Sequence, residues 1–314
     1  MEKIQRRSFL KKSATAVAAG TLATVVPTPV QAEEKKAKIV VVHGTDIPKM
    51  IEAGIEKMGG WGKFIKAGSK VALKPNLAWS VTPEQGGNTH PDIIRAVILA
   101  AEKAKAKQVL IPENTCESEK KTFPVCGIYD AIKGTSAVLT RPKRNDYMDV
   151  EVPKGKVCKK ARVTRALVEA DCLINMPVAK HHGGATLTIS MKNWMGAVDN
   201  STRRAWHRDG LHQCIADFST FIKPALTVID ATRILLEKGP QGPGALDHPN
   251  VIVLSTDPVA ADAYAATLFD GKLLAGRGKA RAVKPFDVGY IKIAHEMGVG
   301  CGDLSKVNIV KVEC

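Results

Sequence analysis

Apolar and polar positions alternate along this chain in two rhythms, one of strands and one of helices. Lys38 to His43 (K-I-V-V-V-H) is a short β-branched run, and Asp46 to Met58 then repeats apolar residues at helical spacing until Gly59-Gly60 stops it. Lys70 to Leu77 (K-V-A-L-K-P-N-L) is a second strand, ended by Pro75, which has no N–H to give to a ladder. Thr89-His90-Pro91-Asp92 opens a helix with a capping hydroxyl, a proline in the first turn and an acid at the positive end of the dipole, ahead of I-I-R-A-V-I-L-A-A. Gln108 to Pro112 (Q-V-L-I-P) is a third strand. Strand, crossover helix and strand over 70–112 predict parallel pairing with a right-handed connection.

Residues 113–160 are polar and lysine-rich, with one helix near Gly127 to Ile132 and a small excursion or hairpin over 143–160. Cys172 to Val178, Leu226 to Asp230 and Val251 to Ser255 are continuous apolar runs, the mark of strands buried on both faces. Helices are expected at Gly210 to Phe221, Pro258 to Phe269 and Phe286 to Met297, a last strand at Val307 to Val312, and a stiff surface loop at G-P-Q-G-P-G, 239–244. The expected fold is α/β, a mainly parallel, Rossmann-like sheet flanked by helices with a small excursion around 115–160, and residues 33–314 forming a single domain.

Composition narrows the class. With 314 residues, 45% of them hydrophobic, the chain can bury a sizeable core and is neither disordered nor fibrous. Seven cysteines in that length exclude a disulfide scaffold. The longest apolar stretch, Ala14 to Val26, has about 13 residues where a bilayer span needs about 20, so no stable membrane span is expected. That stretch follows Q-R-R-S-F-L-K at 5–11 and precedes V-Q-A at 30–32, the order of a twin-arginine signal peptide cut after Ala32. The expectation is a periplasmic protein, with the twin-arginine translocase as a partner during export. This route carries folded proteins, which suits a metal or redox group inserted beforehand and thiols left free. The formal net charge of +15 is scattered over lysine-rich loops without aromatic interleaving or a continuous basic helix face. Nucleic acid is therefore not an expected partner; the excess reads as solvated lysine on loops and helix backs, with attraction to a small anionic ligand or a membrane surface as the secondary reading.

In a parallel sheet all strands end on one rim, where ligands of open α/β folds bind. Lys74, Asn76 and Thr89 follow the second strand, and Glu113 and Asn114 the third. Lys180, His181 and His182 follow Cys172 to Val178, Asp230 ends the run at 226, and Ser255, Thr256 and Asp257 follow the run at 251. These groups are expected to converge although they are far apart in the chain.

The same segments carry a resemblance. K-P-N-L at 74–77, T-H-P-D-I-I-R-A-V at 89–97, I-N-M-P-V-A-K-H-H at 174–182, S-M-K-N-W-M-G at 190–196, L-T-V-I-D-A at 226–231 and S-T-D-P-V-A-A-D-A at 255–263 together resemble the bacterial and archaeal "domain of unknown function 362" family over roughly residues 70–270. Members are often labelled iron–sulfur proteins because some carry an appended ferredoxin-like cassette. The seven cysteines here include no C-x-x-C, so a ferredoxin-type iron–sulfur cluster is not expected and the cofactor is left undefined, with a metal open.

His181 and His182 are adjacent, so at most one side chain faces the crevice. His182 is a candidate metal ligand, with Asp230, Asp257 or Glu113 as a partner and Cys116 as a further one, or a hydrogen-bonded loop histidine; it is also a candidate acid/base group. Lys180 and Lys192 flank the pair and suit a carboxylate or phosphate as point charges, or covalent attachment if burial lowers their pKa; surface lysine is the alternative. Asn193 and Trp194 suggest a tight loop beside the ligand. Asp257-Pro258 reads as a helix cap, and Trp206-His207-Arg208 with His212 as a lid or an exposed loop. No G-x-S-x-G elbow, phosphate-binding P-loop or H-E-x-x-H is present.

The candidate set is thus His182, Lys180 and Lys192 for catalysis; Lys74, Asn76, Asn193 and Asp230 for ligand binding; and His182 with Asp230 for a metal. The expected function is an exported α/β protein binding a metal-containing cofactor or a small anionic ligand at the C-terminal rim of its sheet, with redox enzymology open. A non-catalytic metal- or anion-binding protein, or a partner subunit, is the alternative.

Overall fold

The chain alternates strands with helices from residue 38 onward, and the alternation builds one sheet covered on both sides. The computed structural model describes residues 36–275 and 279–314; the arginine pair, the apolar run behind it and the cut after Ala32 lie outside the described residues. In chain order come β1 (Lys38–His43), α1 (Ile47–Met58), β2 (Lys70–Pro75), α2 (Pro91–Lys103) and β3 (Gln108–Pro112). Then follow α3 (Glu119–Val125), α4 (Ile128–Ile132), β4 (Val138–Thr140), β5 (Tyr147–Glu151), β6 (Lys160–Thr164), α5 (Arg165–Val168), β7 (Cys172–Met176), β8 (Val178–His182) and β9 (Thr186–Thr188). After these come α6 (Asn200–Asp209), α7 (Leu211–Phe221), β10 (Leu226–Leu235), β11 (Leu246–Asp247), β12 (Val251–Ser255), α8 (Pro258–Thr267), β13 (Leu273–Ala275), β14 (Lys279–Arg281), α9 (Gly289–Glu296) and β15 (Asn308–Glu313).

The main sheet has 11 strands, in the order β15-β1-β12-β10-β7-β2-β3-β4, with β11 and β8 attached at β10 and β9 at β8. Its two faces explain the continuous apolar runs. Along β1, Ile39 and Val41 join one core cluster with α7, α8 and α9, while Val40 and Val42 join a second with α1 and α2. Neither face of a central strand meets water, so alternation with polar residues disappears. Residues 36–314 form one compact unit. Among the described residues no helix is long and apolar enough to cross a membrane.

The sheet is α/β and mostly parallel, as its sequence predicts, with β12 reversed in its main path and the short β9 and β11 also antiparallel to their neighbours. β12 runs antiparallel to both neighbours, pairing Val253 with Val41 of β1 and with Ile229 of β10. The connection from β10 carries the G-P-Q-G-P-G turn and β11 instead of a crossover helix, and a chain that turns back without a crossover must pair antiparallel. Ser255, Thr256 and Asp257 therefore leave on the rim opposite the other strand ends. There Ser255 Oγ donates to the Lys38 carbonyl at 2.7 Å, and Asp257 caps α8 through Val259 N and Ala260 N, both at 2.9 Å.

Other departures are local. The start of α2 is capped by the His90 ring, which accepts from Asp92 N at 3.2 Å. The Thr89 hydroxyl, expected in that role, instead donates to the Met176 carbonyl at 2.7 Å and ties α2 to β7. The segment around 115–160 holds two short helices, strand β4 and the first half of the β5–β6 hairpin. His181 and His182 sit on β8, which continues the sheet past β7 and pairs with β9, so they are strand residues and not loop residues. Asn200 to Asp209 is a helix with Trp206 as its buried anchor. Its polarity hides it in the sequence, and Asp199, accepting from Thr202 N at 2.8 Å, supplies its start.

Candidate ligand-binding site

At the C-terminal rim of β2, β3 and β7, the loops after β2 and β3 and the β8–β9 hairpin surround a cavity of about 270 Å³. Its lining includes Asn76, Glu113, Lys180, His182, Thr188, Lys192, Asn193, Arg203 and His207, with Trp79, Met195 and Pro240 as apolar wall. Of the seven candidate residues, five line the cavity: Asn76, Lys180, His182, Lys192 and Asn193. Lys74 and Asp230 do not.

Lys74 lies behind the wall, fully buried, with its ammonium 2.7 Å from Glu113 and 2.6 Å from the Pro75 carbonyl. Burial pushes its pKa down while Glu113 pulls the other way. Gly196 closes over this pair, and a Cβ there would sit 2.0 Å from Glu113 Oε1 and 2.7 Å from Lys74 Nζ, so a larger residue would have to displace the ion pair. Asp230 is also fully buried, and its carboxylate accepts from His90 N at 2.8 Å, Thr232 N at 3.1 Å and Thr232 Oγ1 at 2.7 Å, and pairs with Arg233. Burial works against the charged form, but Arg233 and these donors hold the Asp230 carboxyl below its ordinary range. With its lone pairs committed, this carboxylate is a strut between β10 and α2, outside the cavity.

A buried amide network positions the floor. Asn193 Nδ2 donates to the Lys74 carbonyl at 2.9 Å and to Asn175 Oδ1 at 2.8 Å, while its Oδ1 accepts from Asn76 Nδ2 at 3.1 Å. Asn76 Oδ1 then receives the Lys180 ammonium at 3.3 Å, which also donates to the Gly87 carbonyl. Lys192 has a weaker partner, the thioether of Met195 at 3.3 Å. Neither Lys180 nor Lys192 forms an ion pair among the described residues, although 1% and 7% of their surface is exposed. Burial pushes Lys180 down to about 7 and Lys192 down to about 8. Unpaired buried ammonium groups are costly, so they either lose the proton or await an anion. Thr188 Oγ1, buried in the same lining, has no hydrogen-bond partner among the described residues.

The histidine pair diverges as strand neighbours must. His181 turns away and accepts from Gly239 N at 2.9 Å. His182 lines the cavity, and its Nδ1 accepts from Gly184 N at 3.0 Å and Ala185 N at 3.1 Å. Those two donors put the proton of the neutral ring on Nε2, which is then a donor without a lone pair for a metal. Burial first, then Lys192 and Lys180, hold His182 far below its ordinary pKa, while burial, Lys192 and Arg203 lower His207, stacked 6.5 Å away. Among the described residues no group of three or more His, Cys, Asp and Glu is placed to hold a metal ion. With His182 Nδ1 occupied and Asp230 saturated, the residues expected as metal ligands do not fit that role.

Several lining residues are absent from the sequence-based set. Arg203 and His207 come from α6, and Arg203 donates to the Asn114 and Thr115 carbonyls and to Cys116 Sγ, fixing α6 over the end of β3. The run R-R-A-W-H belongs to a strongly polar stretch whose buried anchor is Trp206, so its capping Asp199 is the clearest sequence signal for it. Thr188 and Trp79 give no sequence signal at all. All seven cysteines are free thiols, Cys116 at the cavity mouth among them.

The family described as "Domain of unknown function (DUF362)" matches residues 71–267. The thylakoid-associated protein sll1697 of Synechocystis sp. is 26% identical over 216 residues, 65% of this chain and 63% of that protein. Among solved structures, the lactate racemase apoprotein of Thermoanaerobacterium thermosaccharolyticum aligns with a TM-score of 0.40 and 12% identity, over 67% of this chain and 54% of that one. A Thermotoga maritima protein aligns with a TM-score of 0.31 and 11% identity, over 67% and 56%. The chain spans less than two thirds of each of these proteins.

Proposed function

Because this chain belongs to the domain of unknown function 362 family, a membership that specifies no reaction, we propose its function from the chemistry of the cavity: it binds a small anion there. The observation that carries this reading is the pair of buried ammonium groups, Lys180 and Lys192, without carboxylate partners. An anion between them replaces the lost hydration and lets both stay protonated. The unpartnered Thr188 hydroxyl and the Nε2–H of His182 supply hydrogen bonds to carboxylate or phosphate oxygens. Asn76 and Asn193 keep Lys180 on station through the amide network. Arg203 adds positive field while its own donors hold backbone carbonyls.

Thermal unfolding in inorganic phosphate, propionate and pyruvate tests this. Millimolar anion raises Tm in the native protein and loses most of that effect in Lys180→Met. Absence of stabilisation by all three would end the proposal.

The first 32 residues are proposed as a twin-arginine signal peptide and the folded chain as periplasmic, a reading supported by Q-R-R-S-F-L-K at 5–11. Replacing Arg6 and Arg7 by lysine is expected to leave uncleaved precursor in the cytoplasm, read by fractionation. Periplasmic mature protein from that variant would refute the reading.

A further inference from the structure

We propose that Lys192 is a nucleophilic amine and that the ligand of this cavity is a small carbonyl-bearing carboxylate, a 2-oxo acid, held as a Schiff base. The proposal rests on the anion reading above and adds the ligand's class.

Three lysines are buried around the cavity, and their partners set them apart. Lys74 is ion-paired with Glu113, and Lys180 donates to two oxygen acceptors, Asn76 Oδ1 and the Gly87 carbonyl. Among the described residues the Lys192 ammonium has only the Met195 thioether as a hydrogen-bond partner, a weak acceptor that does not compensate an ammonium. Lys192 is therefore the one of the three whose amine no oxygen acceptor holds, and its lone pair is not engaged by any donor among the described residues, although burial lowers Lys180 further, to about 7. Burial pushes it down to about 8, so an appreciable fraction is unprotonated near neutrality. A desolvated amine beside another cation is the ordinary arrangement of a Schiff-base lysine.

The division of labour follows. Lys180, fixed by the amide network, supplies the charge for the carboxylate, and the Thr188 hydroxyl and His182 Nε2–H are donors for the carbonyl oxygen. Lys192 Nζ attacks the carbonyl carbon, forming a C–N bond as the oxygen takes up a proton. The carbinolamine then loses that oxygen as water, leaving a protonated C=N; the net change is ammonium plus ketone giving iminium plus water. A cavity of about 270 Å³ admits an acid of a few carbons, and the wall of Trp79, Met195 and Pro240 limits the access of water to the iminium.

Treatment of the full chain with pyruvate and cyanoborohydride near neutral pH, followed by intact mass and peptide mapping, tests this. One reduced adduct per chain is expected, on Lys192, formed at least about tenfold faster than on the exposed Lys49, and absent in Lys192→Arg. Adducts spread over exposed lysines with Lys192 unmodified would overturn the Schiff base. If propionate and pyruvate then stabilise the protein equally, the anion site stands without it; if neither they nor phosphate stabilises it, the anion reading itself has failed.

Discussion

Glu113 neutralises Lys74 in a place where water reaches neither. Of the buried lysines around the cavity, Lys74 alone has a carboxylate among the described residues, and the pair sits under Gly196, where a larger residue would displace it. Removing one partner of such a pair strands the other charge, which is why the loss exceeds the pair's own net worth. Glu113→Gln is expected to lower stability by about 3 kcal/mol in urea denaturation. A loss under about 0.5 kcal/mol, the size typical of an exposed pair, would show that Lys74 is already neutral in the native protein. His182 makes a parallel point. Its role is set by which ring nitrogen is occupied, and the turn at Gly184 and Ala185 settles that by donating two N–H groups to Nδ1.

Among elements, α8 and β12 are joined by Asp257, whose Oδ1 caps the helix while Oδ2 accepts from Cys301 N at 2.8 Å. Because β12 is reversed, this corner lies on the rim away from the cavity. Asp257→Ala is expected to cost about 1–2 kcal/mol of stability through the lost cap. Phosphate affinity, measured by calorimetry, should change less than about threefold, since sites without shared partners behave independently. A large loss of affinity would mean that the two rims are coupled. The β8–β9 hairpin works differently, because it carries Lys180, His182 and Thr188 on one short antiparallel pair and so fixes three lining groups with a single register.

For the whole molecule, the buried lysines make stability depend on pH in a definite direction. Lys180 at about 7 and Lys192 at about 8 lie below the ordinary lysine value of 10.5, so above neutrality the unfolded chain binds more protons than the folded one. Stability of the ligand-free protein should then rise with pH between about 7 and 9. Beyond that the sign turns, because buried thiols such as Cys158, pushed up to about 11, hold protons in the fold that the unfolded chain releases. Saturating sulfate should flatten the rise by keeping both lysines charged. Tm measured across this window with and without sulfate checks it, and a falling or flat curve in the absence of sulfate would contradict the assignment.

The sequence by itself determined the elements, because strand and helix periodicity, proline positions and the Asp257 cap are written in neighbouring residues. It also located the rim, since K-P-N-L, the K-H-H run and K-N-W each follow or border a buried strand. Five candidate residues meet at the cavity for that reason. What only the tertiary structure decided are properties of pairs distant in the chain: the direction of β12, the capture of Lys74 by Glu113, the tie from Asp230 to the backbone of His90, and the arrival of Arg203 and His207 at the cavity on a polar helix. Charge and burial compete at each of these positions, and the outcome depends on which partner lies within about 3 Å, a distance that no local pattern encodes.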